Sequence, residues 1–71
     1  MVYKDKEAET LLRIILQNID PDGKYPFHKG DAGYYKHKKV WVAFDNETGD
    51  CWVEEFKTEK EAVDWINNYN N

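Results

Sequence analysis

The pattern of apolar residues near the N-terminus predicts an amphipathic helix. One apolar stripe recurs at intervals of three and four residues and consists of Ala8, Leu11, Leu12, Ile15 and Ile19. Asp5 can cap this helix, which we expect to end near Asn18, because the turn-favouring segment 20–23 (Asp-Pro-Asp-Gly) contains a proline that cannot continue it. Ile14 and Leu16 widen the apolar face, so most of the helix should be buried.

A β-hairpin is predicted in the middle of the chain. Residues 40–44 and 51–56 are runs of strand length that are rich in β-branched and aromatic side chains. Residues 46–49 between them suit a four-residue loop built around a type I turn, with Gly49 in the left-handed region. Residues 34–36 form either a third short strand or an extended lead-in to the hairpin.

The pairing of the two hairpin strands decides which side chains share a face of the sheet. We expect Asp45 to lie opposite Asp50. One largely apolar face then contains Val40, Val42, Phe44, Cys51 and Val53. Trp41, Ala43 and Trp52 lie on the opposite face. A slip of one residue would exchange the two faces of the second strand.

A second helix follows the hairpin and completes the predicted fold. Thr58 and Glu61 form a capping box at its start. The apolar residues that follow at helical spacing are Ala62, Trp65, Ile66 and Tyr69. We therefore predict a single small α+β domain over residues 1–71, with the order α-β-β(-β)-α. In this two-layer arrangement, an N-terminal and a C-terminal helix pack on one face of a two- or three-stranded antiparallel sheet.

The composition is that of a small globular domain with a charged surface. The chain has 71 residues, of which 41% are hydrophobic and 34% are charged, and its net charge is −4. Three tryptophans, five tyrosines and three phenylalanines supply the large side chains that dominate cores and interfaces. The single cysteine excludes an intramolecular disulfide. A polar N-terminus and the lack of a long apolar run predict a cytoplasmic protein of a cell, or of a virus or mobile element within one.

The residues that could carry chemistry form no recognisable catalytic or metal-binding motif. Only His28, His37 and Cys51 titrate near neutral pH, and their spacing matches no zinc-ligand pair. Cys51 lies on the apolar face of a predicted strand, where a small buried thiol is the usual case. The acidic loop 45–50 lacks the spacing of a calcium-binding loop. We therefore expect no metal, no cofactor and no catalytic residue, and we predict that the protein is not an enzyme.

Two tryptophans of the predicted sheet indicate a binding surface. Trp41 and Trp52 lie on the face that the helices leave open, with Lys39 and Glu54 beside them. An aromatic patch with a charged rim is typical of protein-binding sites. The alternative is that both tryptophans belong to the core and that the segment 24–35 covers the valines. The first interpretation predicts a small regulator or inhibitor that binds a protein partner. In either case, one face of the sheet would expose more apolar area than a lone domain should, and a homodimer formed through the sheet would cover it.

Charge is distributed unevenly along the chain. Residues 24–40 contain five lysines and one aspartate, whereas residues 41–71 contain eight acidic residues and two lysines. Tyr35 and Lys36 lie in the run 34–39, where aromatic and basic residues are interleaved as in nucleic-acid-binding segments. The acidic half could instead bind a basic site on another protein, either as a docking surface or as a mimic of nucleic acid.

The C-terminal half also resembles a family of DNA-binding domains. Residues 56–62 (Phe-Lys-Thr-Glu-Lys-Glu-Ala) lead from a strand into a helix that carries Trp65. Over residues 38–67 this arrangement is similar to the arm-site DNA-binding domains of phage-type integrases. The resemblance implies a nucleic-acid-binding domain as the alternative to a protein-interaction module. The hairpin departs from this role, since Glu54 and Glu55 stand where DNA phosphates would favour basic side chains.

Overall fold

The computed structural model describes residues 1–69, which form a four-stranded sheet and two helices; the side chain of Tyr69, predicted above to extend the second apolar stripe, lies outside that description. The strands are β1 (Val2–Lys4), β2 (Ala32–His37), β3 (Val40–Asp45) and β4 (Trp52–Phe56), and the helices are α1 (Asp5–Leu16) and α2 (Glu59–Tyr69). The elements follow one another in the order β1-α1-β2-β3-β4-α2. The predicted α+β class is confirmed. No helix in the described part of the chain is long and apolar enough to cross a membrane.

The sheet is mixed and has four strands, whereas the sequence predicts an antiparallel sheet of two or three strands. Its strands lie in the order β1-β2-β3-β4, with β1 parallel to β2 and the other neighbours antiparallel. The segment 34–36 lies inside β2, so it is a strand rather than an extended lead-in. The sequence pattern does not predict the parallel strand β1, because three residues are too few to show an alternation of polar and apolar positions.

The register between β3 and β4 differs by two residues from the expected one. Asp45 lies opposite Trp52 instead of Asp50, and Phe44 lies opposite Val53. Because side chains alternate between the two faces with a period of two, a shift of two residues leaves every strand side chain on its predicted face. The assignment of faces is therefore correct, although the pairing is not.

The loop between β3 and β4 is longer than predicted because a neighbouring segment is bonded to it. It spans residues 46–51. The N–H of Tyr25 donates to the carbonyl of Gly49 at 2.7 Å, and the buried side-chain amide of Asn46 donates to the carbonyl of Tyr25 at 2.9 Å. These bonds hold the segment 24–31 against the loop. Gly49 has a φ of +84°, which confirms its predicted left-handed conformation.

The two helices pack on opposite faces of the sheet, which corrects the predicted two-layer arrangement. α1 packs against Val42 and Phe44, whereas α2 packs against Ala43. The physical reason lies in β3, where these three consecutive residues are all buried. Consecutive residues of a strand point to opposite faces, so a strand that buries both sets of side chains needs cover on both sides. The domain therefore has three layers, with the sheet between the helices.

α1 lies close to the sheet because Gly33 has no side chain. A Cβ atom on Gly33 would lie 2.8 Å from two ring carbons of Phe44 and 3.0 Å from the Cβ of Ala8. Both neighbours are fully buried, so the contact has little room to relax. The predicted stripe is buried as expected at Ala8, Leu11, Leu12 and Ile15. The helix begins at Asp5, so Lys4 and not Asp5 occupies the N-cap position.

α2 covers the other face through small side chains. Ala62 and Ile66 pack in one cluster with Ala43, and all three are buried. Alanine on both sides of this contact lets the helix axis lie close to the sheet. The predicted cap is confirmed, because Oγ1 of Thr58 accepts a hydrogen bond from the N–H of Glu61 at 3.2 Å.

Candidate functional site

The sheet face that the sequence predicts to be open is covered by α2. Ala43, in the middle of that face, is fully buried. Trp41 is half-buried and packs against the same cluster, with its ring centroid 6.4 Å from that of Tyr34. Trp41 is therefore largely a packing residue, and the predicted open patch of Trp41 with Trp52 does not form. The reason is again β3, whose buried alanine requires cover on this side.

Trp52 and Glu54 lie exposed on β4, the strand at one edge of the sheet. The side chain of Trp52 is 52% exposed, so this tryptophan lies at the surface. Glu54 lies on the same face of β4, opposite Ala43, and is also exposed. These two predicted site residues are therefore neighbours, two positions apart on one strand.

The three other predicted site residues lie away from this pair. Lys36 is exposed in β2, two strands from β4. Lys39 is exposed in the two-residue loop that joins β2 to β3. Tyr35 lies on the opposite face of the sheet, where it packs against the core formed with α1. The predicted residues consequently belong to at least two separate surfaces.

β4 is an edge strand of the sheet. The hydrogen-bonding pattern of the hairpin between β2 and β3 determines which backbone groups of β4 point away from the sheet. His37 and Val40 close a two-residue loop, so their backbone groups bond to each other. Antiparallel neighbours alternate between bonded and non-bonded pairs. The next residue of β3 that bonds to β2 is therefore Val42. Trp41 and Ala43, on either side of Val42, direct their N–H and C=O groups toward β4.

The same alternation continues into β4. Phe56 lies opposite Trp41 and Glu54 lies opposite Ala43. The backbone groups of Phe56 and Glu54 therefore point toward β3. The N–H and C=O groups of Val53 and Glu55 consequently point away from the sheet. Within the described residues 1–69, β4 has no neighbouring strand on that side, and neither residue takes part in the backbone hydrogen bonds formed outside the helices and strands. β4 therefore offers two donors and two acceptors in the arrangement that an additional strand requires.

A groove runs beside this edge on the face of the sheet that carries α1. It has a volume of about 380 Å³ and is lined by Glu9, Leu12, Arg13, Leu16, Tyr35, His37, Val42, Val53 and Glu55. α1 packs mainly over β1 and β2, so it leaves the β4 side of this face uncovered. Leu16 is 46% exposed and Val53 is 42% exposed, and both lie in the groove. The groove thus combines exposed apolar surface with charged groups.

Tyr35 supplies a polar group to the apolar part of the groove. Burial raises the pKa of its hydroxyl, the nearby carboxylate of Glu9 raises it further, and Arg13 opposes this effect. Glu55 also acts in the raising direction. The hydroxyl therefore stays protonated across the physiological range and can donate a hydrogen bond to a group that enters the groove.

Of His28, His37 and Cys51, only His37 lines the groove. Cys51 is buried just before β4, as expected, and burial raises the pKa of its thiol to about 11. His28 lies in the segment 24–31, where its Nδ1 is 3.0 Å from a carboxylate oxygen of Asp31. Within residues 1–69, no group of three or more histidine, cysteine, aspartate or glutamate side chains is placed to hold a metal ion.

Sequence reasoning missed the α1 side of the groove because it assigned the whole apolar stripe to the core. Leu16 widens that stripe beyond the width that the sheet covers, and this extra width is the one signal in the sequence for exposed apolar surface. Glu9 and Arg13 flank the stripe on the same side, yet nothing in the spacing indicates that they border a groove.

Comparison with known proteins does not assign the chain to a family. No family model, no curated protein and no solved structure matches it. The resemblance to integrase arm-site domains gains no support from these comparisons. A functional proposal for this protein therefore rests on the β4 edge and the groove beside it.

Proposed function

We propose that this protein is a small non-catalytic interaction module that holds an extended segment of a partner protein against β4. The observation that carries this proposal is the outward direction of the backbone groups of Val53 and Glu55, next to an apolar groove. An added strand would bond to these groups along its main chain. Its alternate side chains would lie over the groove on one face of the sheet and beside Trp52 on the other.

The exposed apolar side chains support the same surface. Val53 and Leu16 lie in the groove, and Trp52 lies on the opposite face of the same strand. Exposed apolar residues that are grouped and bordered by charged residues are typical of binding sites. Trp52 is the best candidate for an anchor, because tryptophan is enriched among the residues that contribute most to binding.

The proposed role is that of a regulator or inhibitor. Strand addition occupies one backbone edge of the bound segment and the side chains that contact the groove, so the partner cannot use these groups for another contact at the same time. The module itself needs only a rigid strand edge and a neighbouring pocket for this task. Both lie within a domain of 71 residues, and the hypothesis requires no reactive group.

The experiment that tests the proposal is capture of partners from an extract of the source cells, with Val53→Pro and Val53→Thr as matched variants. Proline removes only the outward N–H of residue 53 and no bond to β3, whereas threonine keeps that N–H on a β-branched side chain. We expect the wild type and Val53→Thr to retain a protein that Val53→Pro loses. Circular dichroism verifies that each variant is folded. Retention of the same proteins by a folded Val53→Pro variant would contradict the proposal.

A second candidate function is nucleic-acid binding at the tip of the hairpin between β2 and β3. Lys36, Lys38 and Lys39 are exposed there, together with His37. Phosphate groups favour such a cluster. The support is weaker than for the β4 edge, because the chain as a whole is acidic and the exposed carboxylates of β4 would repel a long polyanion.

A further inference from the structure

We infer that the segment held by β4 is a basic strand, with lysine or arginine opposite the two glutamates and an apolar residue opposite Val53. This inference rests on the proposed function and adds the chemistry of the partner. Glu54 and Glu55 are consecutive, so their carboxylates lie on opposite faces of the sheet, and both are exposed. A strand added to β4 would therefore lie beside a negative charge on each face of the sheet.

Cross-strand neighbours decide which residues the partner should carry. Side chains directly opposite each other on adjacent strands lie about 5 Å apart, and opposite charges there are favourable. A basic residue opposite Glu54 would also lie beside Trp52, half of whose surface is exposed, where a cation can contact the aromatic face. An apolar residue opposite Val53 would extend the apolar surface of the groove.

On the face of the sheet that carries α1, the groove also favours a cation. Two carboxylates, Glu9 and Glu55, line it together with one guanidinium, Arg13. A long basic side chain opposite Glu55 can lean over β4 toward these groups with its methylene stem on the apolar floor. The charge of the groove and the charge of the β4 edge therefore point to the same partner chemistry.

A second copy of the chain is a poorer occupant of the edge. In a two-fold antiparallel pair, the outward groups of Val53 and Glu55 must face those of the other copy. The register with the most overlap places Glu54 opposite Glu54. The other two registers each pair three residues of β4, and one of them places Glu55 opposite Glu55. Like charges directly opposite are destabilising. The remaining register, centred on Val53, pairs only residues 52–54, so self-association gains little.

Three short peptides test the inference on the full chain. In each, one valine is flanked on both sides by two copies of a variable residue, which is lysine, glutamine or glutamate. The valine can then lie opposite Val53 and the variable residue opposite both glutamates in either strand direction, and the three peptides have the same length. We expect fluorescence anisotropy to rank affinity as lysine above glutamine above glutamate, with the lysine peptide at least about tenfold tighter than the glutamate peptide. Increasing ionic strength should reduce this difference. Equal affinities, or the reverse order, would overturn the inference.

Reversing the charge of one residue on the protein tests which carboxylate determines the preference for the lysine peptide. Glu54→Lys should weaken the lysine peptide and strengthen the glutamate peptide, because the variant places a like charge opposite the former. Glu7→Lys is the matched control, since Glu7 is exposed on α1 and lines a different cavity. A preference that changes equally in both variants would show that net charge alone determines binding, and it would overturn the inference.

The position of the bound strand is read from backbone amides. Addition of the lysine peptide should slow hydrogen exchange at Val53 and Glu55, and Val53→Pro should lose the peptide. If the lysine peptide does not bind while partner capture still depends on Val53, the inference fails and the proposed function stands. If capture is also unchanged in a folded Val53→Pro variant, both fail.

Discussion

Gly33 determines how closely α1 can approach the sheet. In Gly33→Ala, the new Cβ would lie 2.8 Å from ring carbons of Phe44, which is fully buried and cannot move freely. We expect the variant to lose about 1–3 kcal/mol of unfolding free energy, as overpacked cores do. Urea denaturation measures this loss. Lys36→Ala, an exposed change in the same strand, should stay within about 0.5 kcal/mol of the wild type. Equal midpoints for Gly33→Ala and the wild type would contradict the packing described here.

The raised pKa of the Cys51 thiol predicts that this side chain reacts slowly in the folded chain. Burial, followed by the nearby charge of Asp45, raises the pKa of its thiol from 9.0 to about 11. At pH 8 the thiolate fraction should therefore be about 100-fold lower in the folded chain than in the unfolded chain. Reaction with a disulfide reagent should be slower by at least this factor than in denaturant. Similar rates in both states would contradict the assigned burial.

The sign of the accompanying pH effect follows from the same shift. The folded state holds the Cys51 proton more tightly than the unfolded state does. Its contribution to stability is therefore fully present below a pH of about 9, near the pKa of the unfolded chain, and is lost as the pH rises through about 11.

Thr58 determines where α2 starts. Its Oγ1 accepts a hydrogen bond from the N–H of Glu61, so Thr58→Ala leaves a backbone donor of the first turn without this partner. We expect a loss of about 1 kcal/mol in thermal or urea unfolding. Thr58→Ser keeps the acceptor and should lose much less. The cap would be unimportant if serine and alanine destabilised the domain equally, or if neither did.

The elements differ in how much of them could be predicted from sequence. α1 and α2 follow from helical spacing, and the faces of β3 and β4 follow from alternation. β1 could not be predicted, because three residues carry no period. The β3–β4 register could not be predicted either, because bonds from the segment 24–31 lengthen the loop. Bonds of this kind join residues that are far apart in the sequence and leave no local pattern.

At the scale of the whole molecule, the sequence contains the signal for three layers, although the prediction of two layers missed it. Val42, Ala43 and Phe44 form a continuous apolar run, which is typical of a strand that is covered on both sides. α2 removes most of Trp41 from the surface. On the other face, which carries α1, the part of the sheet beside β4 stays open. Trp52 and Glu54 were therefore predictable site candidates, whereas Val53 and Leu16 depend on where α1 ends relative to the sheet.

The charge of the whole molecule predicts weak DNA binding. The chain carries 14 acidic residues against 10 basic ones, and β4 exposes carboxylates in addition to the lysines exposed at the β2–β3 tip. We expect weak or no binding of duplex DNA in an anisotropy titration at physiological salt. Micromolar binding that decreases steeply with salt would contradict this prediction and would favour the nucleic-acid candidate.

The proposed binding surface requires that β4 is an edge whose outward backbone groups belong to Val53 and Glu55. Amide hydrogen exchange of the free protein, followed residue by residue by NMR, tests this claim without any knowledge of the partner. We expect slow exchange at Glu54 and Phe56, which bond to β3, and fast exchange at Val53 and Glu55. Slow exchange at all four amides, or protection of Val53 and Glu55 with fast exchange at the other two, would contradict this claim.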